Sequence, residues 1–201
     1  DVSTLNHPDH TLWVVVEQQG GAIVQAGEIS RHALEFYSKL WFPYQFPQLT
    51  LQDGPSSGME YPMVINSNAG AADHETGHMW WPMVVSNNET WYGWMDEGFN
   101  QYMNILSDAD AAAKAPVLDG LGQSYGRTSG AEAEPPMMWN ANYAGPGYYG
   151  FTTYQKTPLM LSALLEASLP PLPASAALLA PGQAGPVGED LTHGRFIKVT
   201  S

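Results

Sequence analysis

The sequence contains no cysteine, and this absence excludes disulfide bonds, thiolate zinc sites and thiol nucleophiles together. Basic residues are also scarce, because 7 Lys and Arg stand against 20 Asp and Glu, which gives a formal net charge of -13. Such a chain repels phosphate backbones and anionic lipid, so neither nucleic acid nor a membrane surface is an expected partner. Apolar runs stay shorter than the roughly 18 residues that a membrane-spanning helix needs, so no membrane insertion is expected.

What the chain does have is enough apolar material for one good core, with 44% hydrophobic residues in a length of 201. Its first residues, DVSTLNHPDH, include neither an initiator Met nor the apolar segment of a signal peptide, so we expect a mature or excised piece. The sequence does not fix the compartment, although a secreted or periplasmic one is slightly favoured over the cytoplasm. Residues 169–201 are low in complexity and are predicted to form an extension or tail.

Local patterns predict strands followed mainly by helices. A β-branched run predicts a strand from Leu12 to Val16, and PQLTLQDGP and MEYPMVI read as two further strands, the last with Pro62 suited to a sheet edge. Helical spacing of apolar residues predicts helices in GEISRHALEFYSKLW, from Ala71 to about Met83, in WYGWMDEGFNQYMNILSDA and in TPLMLSALLEASL. Residues 108–147 are rich in Ala, Gly and Pro, and we predict that they are irregular.

The stretch HETGH carries the first indication of chemistry. Four residues correspond to a rotation of about 400° around a helix axis. His74 and His78 therefore lie on one face of the predicted helix and can bind one metal ion. This is the HExxH pattern, in which the inner Glu75 lies beside the metal and takes a proton from the attacking water. Two helix histidines without a metal are the alternative, and a third ligand decides between the two. Glu97 follows His78 with 18 residues between them, a span that fits a turn and a second helix.

HETGHMWW followed by WMDEGF resembles the gluzincin zinc aminopeptidases of the aminopeptidase N type, whose signature is HExxH, 18 residues and then Glu. The resemblance implies one Zn²⁺ per chain, held by His74, His78 and Glu97, with Glu75 as the general base. It also implies an α+β fold, a thermolysin-like zincin catalytic domain over residues 1–168. In that domain a mixed sheet packs on the HExxH helix and the second half is mainly helical.

Two further segments resemble motifs of the same family, in the family's order. SSGMEYP is similar to its GxMEN motif, which implies that Glu60 binds the free α-amine of a peptide and that Gly58 and Met59 line the cleft. Tyr61 stands where the motif usually has Asn. FTTYQKTPLML is similar to its YxKG segment, which implies that Tyr154 stabilises the oxyanion, although Thr157 replaces the Gly. Tyr149 is an alternative for that hydroxyl.

The function that the resemblance implies is hydrolysis of the N-terminal peptide bond of peptides with a free N-terminus. The family's other domains would then lie on a longer parent chain. Three alternatives stay open: a thermolysin-like endopeptidase, an epoxide hydrolase of the leukotriene type, and a peptide-binding module without catalysis. Outside the motifs, we interpret Asp73 as a helix N-cap and Asp96 as a helix-end charge. We assign the nearby tryptophans, Trp80, Trp81, Trp91 and Trp94, to packing.

Overall fold

The structure is a computed structural model that describes residues 2–6, 11–15, 22–52, 58–131, 134 and 136–168. Within these ranges a strand-rich first part is followed by helices, which confirms the predicted α+β class. The thermolysin-like character stays a prediction, and the predicted tail at 169–201 lies outside the described residues. No helix in the described ranges has the length and apolar character needed to cross a membrane.

The strands form one mixed sheet. Among the described residues the strands are β1 (Val2–Asn6), β2 (Thr11–Val15), β3 (Gln48–Gln52), β4 (Gly58–Tyr61) and β5 (Val64–Ser67). They lie in the order β1-β2-β3-β5-β4. The β2/β3 and β3/β5 pairs are parallel, whereas β1/β2 and β4/β5 are antiparallel. The mixed sheet is therefore as predicted, and β4 forms one of its edges.

The segment predicted as one strand, MEYPMVI, is instead a hairpin. Its first residues belong to β4 and its last to β5, and the chain turns at Pro62 and Met63. Proline has no N–H to donate to a strand ladder, so the pairing breaks at this residue. Met63 has a φ of 63°, the left-handed backbone that a tight reversal needs. The prediction of a single strand was wrong, and the correction places Glu60 on an edge strand.

A long amphipathic helix covers the sheet. Helix α1 runs over Ala22–Leu40 and contains the predicted helix, with an earlier start. From residue 25 onward, where burial is described, its buried apolar residues recur on one face, and they are Ala26, Ala33, Leu34, Tyr37 and Leu40. They join Leu49 and Leu51 of β3 and Ile65 of β5 in one core. Burying each large aliphatic side chain contributes about 1.5 to 3 kcal/mol, so this core fixes α1 against the sheet.

Helix α2, Ala72–Gly77, carries the HExxH pattern and is shorter than predicted. His78 is its C-cap, and residues 78–84 form turns instead of continuing the helix to Met83. Pro82 supplies no backbone N–H, which prevents regular helical bonding at that point. The His78 amide still donates to His74 O at 3.3 Å, so the two histidines keep their one-turn spacing.

The second half is helical, as predicted, but more of it is helical than the sequence indicated. Two segments are π-helical, π1 (Trp94–Gly98) and π2 (Thr152–Lys156), and the α-helices are α3 (Phe99–Ala111), α4 (Asp119–Gly126), α5 (Ala141–Phe151) and α6 (Thr157–Ser168). The prediction that 108–147 is irregular was therefore wrong over the end of α3, over α4 and over the start of α5, and it is confirmed for the described residues between these helices. Helix α4 contains three glycines and buries none of its residues, so it has no apolar periodicity to detect.

Candidate metal centre

Three donor atoms converge between α2 and π1. His74 and His78 project from α2 and its C-cap, and Glu97 comes from π1. His74 Nε2 lies 2.9 Å from Glu97 Oε2, and His78 Nε2 lies 3.2 Å from the same oxygen. The two Nε2 atoms are 3.1 Å apart. The structure thus brings together the three residues that the sequence predicted as metal ligands.

The chemistry of these donors fits a cation. The ring of His78 places Nδ1 2.7 Å from the carbonyl oxygen of Trp81, which can only accept, so Nδ1 carries the hydrogen. In the neutral ring Nε2 therefore presents a lone pair to His74 Nε2 and to the Glu97 carboxylate. Three electron-rich atoms in contact repel one another unless protons or a metal ion lie among them. Tetrahedral zinc with bonds of about 2.0 to 2.1 Å places its ligand atoms about 3.3 Å apart, close to the observed separations.

The ionisation of the ligands reflects this crowding. Burial alone would raise the pKa of Glu97, but hydrogen bonds and charge from the two histidines hold it well below its usual range. Burial likewise would lower the pKa of His78, whereas contacts with Asp96 and Glu97 raise it. Protons on the histidine nitrogens therefore occupy positions that a metal ion would take, and binding of a metal ion must displace them.

Glu75 lies beside the donor triangle and is not part of it. Its side chain belongs to α2, the residue is only 5% exposed, and no described residue forms a hydrogen bond with its Oε2. Burial raises the pKa of Glu75 to about 7, although the neighbouring histidines oppose the shift. A carboxylate with a free oxygen and a pKa near neutrality has the properties of a proton acceptor.

The donor triangle opens into a cleft of about 350 Å³. Its lining includes all eight of Gly58, Met59, Glu60, Ala71, His74, Glu75, Glu97 and Tyr154. Carboxylate oxygens of Glu60 and Glu75 and a ring nitrogen of His78 lie within 4.8 Å of one another. The residues that the sequence proposed for catalysis and substrate contact therefore share one surface with two of the three candidate ligands, His74 and Glu97, whereas His78 is not part of the lining.

Tyr154 reaches the cleft from π2. Its ring centroid is 6.1 Å from that of His74, and burial, followed by the Glu97 carboxylate, raises its pKa. Tyr149 packs edge-on against Tyr154 at 6.1 Å, on the side where Gly93 leaves room for its ring. A Cβ at position 93 would lie 2.7 Å from that ring, so Gly93 admits Tyr149. Tyr154, not Tyr149, lines the cleft.

No protein-family model matches the chain, and no curated protein sequence matches it either. Solved structures, in contrast, do match the chain. A mutant of the M1 zinc metallopeptidase from Deinococcus radiodurans superposes with a TM-score of 0.60 at 17% identity, over 80% of this chain and 38% of that one. Native yeast LTA4 hydrolase gives a TM-score of 0.57 at 18% identity, over 82% of this chain and 30% of that one.

A further structure of the Deinococcus radiodurans protein, a mutant bound to a Tyr-Ser-Ala substrate, gives a TM-score of 0.58 at 16% identity. It covers 89% of this chain and 46% of that one. The likeness shows a shared fold. The chain spans less than half the length of each of these proteins, so it corresponds to a part of them.

Two acidic residues beside the ligands have surroundings that the sequence analysis did not foresee. Asp73 is not the N-cap of α2, because Ala71 holds that position without a side-chain cap, and Asp73 accepts hydrogen bonds from Tyr37 and Ser107 instead. Asp96 does lie in the first turn of π1, as a helix-end charge, but it is only 4% exposed and its Oδ1 lies 3.1 Å from His78 Nδ1. Local sequence rules for helix ends could not reveal either contact.

The tryptophans near the motif divide between core and surface. Trp80 is 1% exposed and packs edge-on against Tyr37 at 5.6 Å, as the packing assignment predicts. Trp91 is 54% exposed, so its assignment to packing was wrong. It follows the turn at Asn88, whose side-chain oxygen accepts from the Trp91 amide. The structure therefore places Trp91 at the surface of the loop between α2 and π1.

Proposed function

We propose that the chain is the catalytic part of a zinc metallo-aminopeptidase that removes the N-terminal residue of peptides. The observation that carries the proposal is the convergence of His74 Nε2, His78 Nε2 and Glu97 Oε2 within 3.2 Å of one another, at the wall of a cleft. These residues would hold one Zn²⁺. The fold shared with M1 zinc metallopeptidases supports this reading, with a thermolysin-like domain over residues 1–168 and the remaining domains on a longer parent chain.

Zinc bound by these ligands supplies a Lewis acid that polarises the scissile carbonyl and makes an attacking water more acidic. Glu75 accepts the proton of that water, because its Oε2 has no partner among the described residues and its pKa lies at about 7. The carboxyl group then returns the proton to the leaving amine, as a general acid. Glu75 therefore acts twice, and its burial is what matches its pKa to both steps.

Tyr154 stabilises the charge that develops on the carbonyl oxygen. Burial and the neighbouring Glu97 raise the pKa of its hydroxyl, so the group stays protonated and remains a donor. A donor that is already positioned where negative charge appears lowers the barrier without reorganisation. Its place in the cleft lining, next to His74, supports this role.

Glu60 selects the end of the peptide. An ionised carboxylate pairs with the free α-ammonium through charge-assisted hydrogen bonds. Because its oxygen lies within 4.8 Å of a Glu75 oxygen, an amine held there leaves only the first peptide bond within reach of the base. Gly58 and Met59 form the adjoining wall, where their main chain contacts the substrate. This arrangement favours an exopeptidase over a thermolysin-like endopeptidase, which has no use for Glu60.

The likeness to yeast LTA4 hydrolase supports one second candidate, hydrolysis of a lipid epoxide at the same centre. The acidic cleft argues for peptides, since Glu60 pairs with an ammonium and a fatty epoxide has none. A peptide-binding module without catalysis is the remaining alternative, and the placement of Glu75 beside the donors argues against it.

The test compares a free peptide with its N-acetylated counterpart on the full 201-residue chain, with bound zinc measured in the same sample. We expect one zinc per chain and cleavage of the free peptide only. Glu60→Ala should reduce kcat/KM on the free peptide by about 10- to 150-fold, the value of one charge-assisted hydrogen bond of about 1.5 to 3 kcal/mol. Zinc content should stay the same, because Glu60 is not a ligand.

The matched control is Glu166→Ala, which removes an exposed carboxylate from α6 and should leave the rate unchanged. Equal cleavage of acetylated and free peptides would favour the endopeptidase. A chain without stoichiometric divalent metal would remove the zinc proposal itself. Turnover of a leukotriene-type epoxide, without peptide cleavage, would favour the hydrolase.

A further inference from the structure

The two candidate histidine ligands are oriented by different kinds of partner. His78 Nδ1 lies 2.7 Å from the main-chain carbonyl oxygen of Trp81, which no substitution removes, and 3.1 Å from Asp96 Oδ1. His74 Nδ1 lies 2.7 Å from Oδ1 of Asn104, a side chain of α3. An amide side chain can present either its oxygen or its NH₂ group. The orientation of His74 therefore depends on what fixes the amide of Asn104.

The half-buried carboxylate of Asp73 fixes that amide. Asn104 Nδ2 lies 3.0 Å from Asp73 Oδ1 and 2.9 Å from the Tyr37 hydroxyl oxygen. The Tyr37 hydroxyl itself donates to Asp73 Oδ1, and the Ser107 hydroxyl lies 2.5 Å from Oδ2. Tyr37 and Ser107 are fully buried and Asn104 is 7% exposed, so water does not compete for these groups.

The direction of each bond follows from the donors available. Three donors, the Tyr37 hydroxyl, the Ser107 hydroxyl and the Asn104 NH₂ group, point at the two oxygens of Asp73. These oxygens therefore accept, and the Tyr37 oxygen is left to accept from Asn104. Rotating the Asn104 amide by half a turn would set its oxygen against the carboxylate and its NH₂ group against the ring of His74. With the amide held, its oxygen faces His74 Nδ1, which must then carry the hydrogen. Nε2 is consequently the nitrogen with the lone pair.

We propose that Asp73, acting through the Asn104 amide, fixes His74 in the tautomer that presents Nε2 to Glu97 and His78, and that both are positioning residues for the metal centre. Partners of this kind typically change metal affinity by about 10- to 100-fold when they are removed. The effect on zinc rests on the proposed function, whereas the tautomer is a property of the zinc-free chain. The hydrogen-bond network joins α1, α2 and α3. The packing of these three helices therefore determines which nitrogen of the His74 ring carries the hydrogen.

The first measurement needs no variant. Nitrogen-15 chemical shifts of the imidazole rings distinguish protonated from unprotonated ring nitrogens in the zinc-free chain. We expect His74 to carry a hydrogen on Nδ1. A neutral His74 with its hydrogen on Nε2 alone would overturn the inference, whether or not the chain cleaves peptides. Loss of peptidase activity with the expected tautomer would instead overturn the proposed function and leave this inference standing.

The second measurement is zinc affinity, by competition with a chelator of known strength. Asn104→Leu and Asp73→Asn should each weaken zinc binding by about 10- to 100-fold. In both variants the Nδ1 hydrogen of His74 should no longer be fixed, whereas His78 should keep its hydrogen on Nδ1, because Trp81 O and Asp96 Oδ1 still accept from it. His78 is thus an internal control for folding of the site.

The matched control is Asp108→Asn, which removes an exposed charge close enough to Asp73 to influence it electrostatically. If hydrogen bonds carry the effect, this variant should bind zinc within about twofold of the parent. Equal weakening by Asp73→Asn and Asp108→Asn would assign the effect to general negative potential and overturn the inference. Zinc affinity equal to that of the parent in a folded Asn104→Leu variant would also overturn the inference.

Discussion

Gly58→Ala tests whether the position of Glu75 controls the rate. A Cβ at residue 58 would lie 2.1 Å from Glu75 Oε1, 2.9 Å from its Cδ and 3.3 Å from Ala71 Cβ. The main chain of β4 and the buried α2 cannot separate easily, so the side chain of Glu75 is what moves. Its Oε2 has no hydrogen-bond partner among the described residues, so this movement breaks no bond there.

The magnitude follows from the distance. Ordinary van der Waals contact begins at 3.4 Å, so Oε1 has to withdraw from 2.1 Å to at least that separation. A misplacement of about 1 Å in a reacting group lowers a rate by on the order of 10²-fold, or about 2.7 kcal/mol. We therefore expect kcat to fall by about 10²-fold while the metal ligands keep their places.

The assay measures kcat, KM and zinc content on an unblocked peptide. Gly122→Ala is the control, because a Cβ there meets nothing within 4 Å, and we expect parent-like kinetics from it. A Gly58→Ala variant with native kcat and full zinc would refute the argument. A loss confined to KM would assign Gly58 to substrate contact instead of to the placement of Glu75.

Three further predictions concern substitutions at single residues. Glu75→Gln should keep its zinc and lose nearly all turnover, since an amide cannot accept the proton of the water; near-native turnover would remove Glu75 from the mechanism. Tyr154→Phe should lower kcat by roughly 10² to 10³ with little change in KM, and the same loss in Tyr149→Phe instead would reverse the assignment. Gly77→Ala should lower the free energy of unfolding by about 1 to 3 kcal/mol in urea, because its Cβ would lie 2.1 Å from a buried side-chain oxygen of α3. Gly126→Ala, where a Cβ meets nothing within 4 Å, should unfold like the parent.

The donor triangle could be predicted because its information is local. The spacing of His74 and His78 follows from helix geometry, whereas Glu97 was identified through the 18-residue interval of the signature that the sequence resembles. The bonds among Tyr37, Asp73 and Asn104 could not be predicted, since they join residues 31 to 67 positions apart. They exist only after α1, α2 and α3 have packed.

Helices and strands could be predicted where apolar residues recur with a clear period. They could not be predicted where prolines, glycines or capping residues determine where an element begins or ends. Helix α1 has one continuous buried face, and it was found. Pro62 reverses the chain within what reads as one apolar strand, and α4 buries nothing that could mark it. In α5, Asn140 caps the first turn by accepting from the Asn142 amide, but the glycines that follow hide the helix in the sequence.

The two π-helical segments make chain length, and not only residue identity, critical. Glu97 lies in π1 and Tyr154 in π2, and the segments touch, with the Cβ position of Gly98 2.9 Å from the main-chain oxygen of Thr153. A π-helical turn accommodates one residue more than an α-helical turn. Deleting one residue from either segment would allow a regular α-helix but rotate the side chains on one side of the deletion by about 100°. A sequence with the same motif letters and one residue fewer would then fold as a helix while aiming its glutamate or tyrosine away from the cleft, so alignments in this region must preserve spacing as strictly as identity.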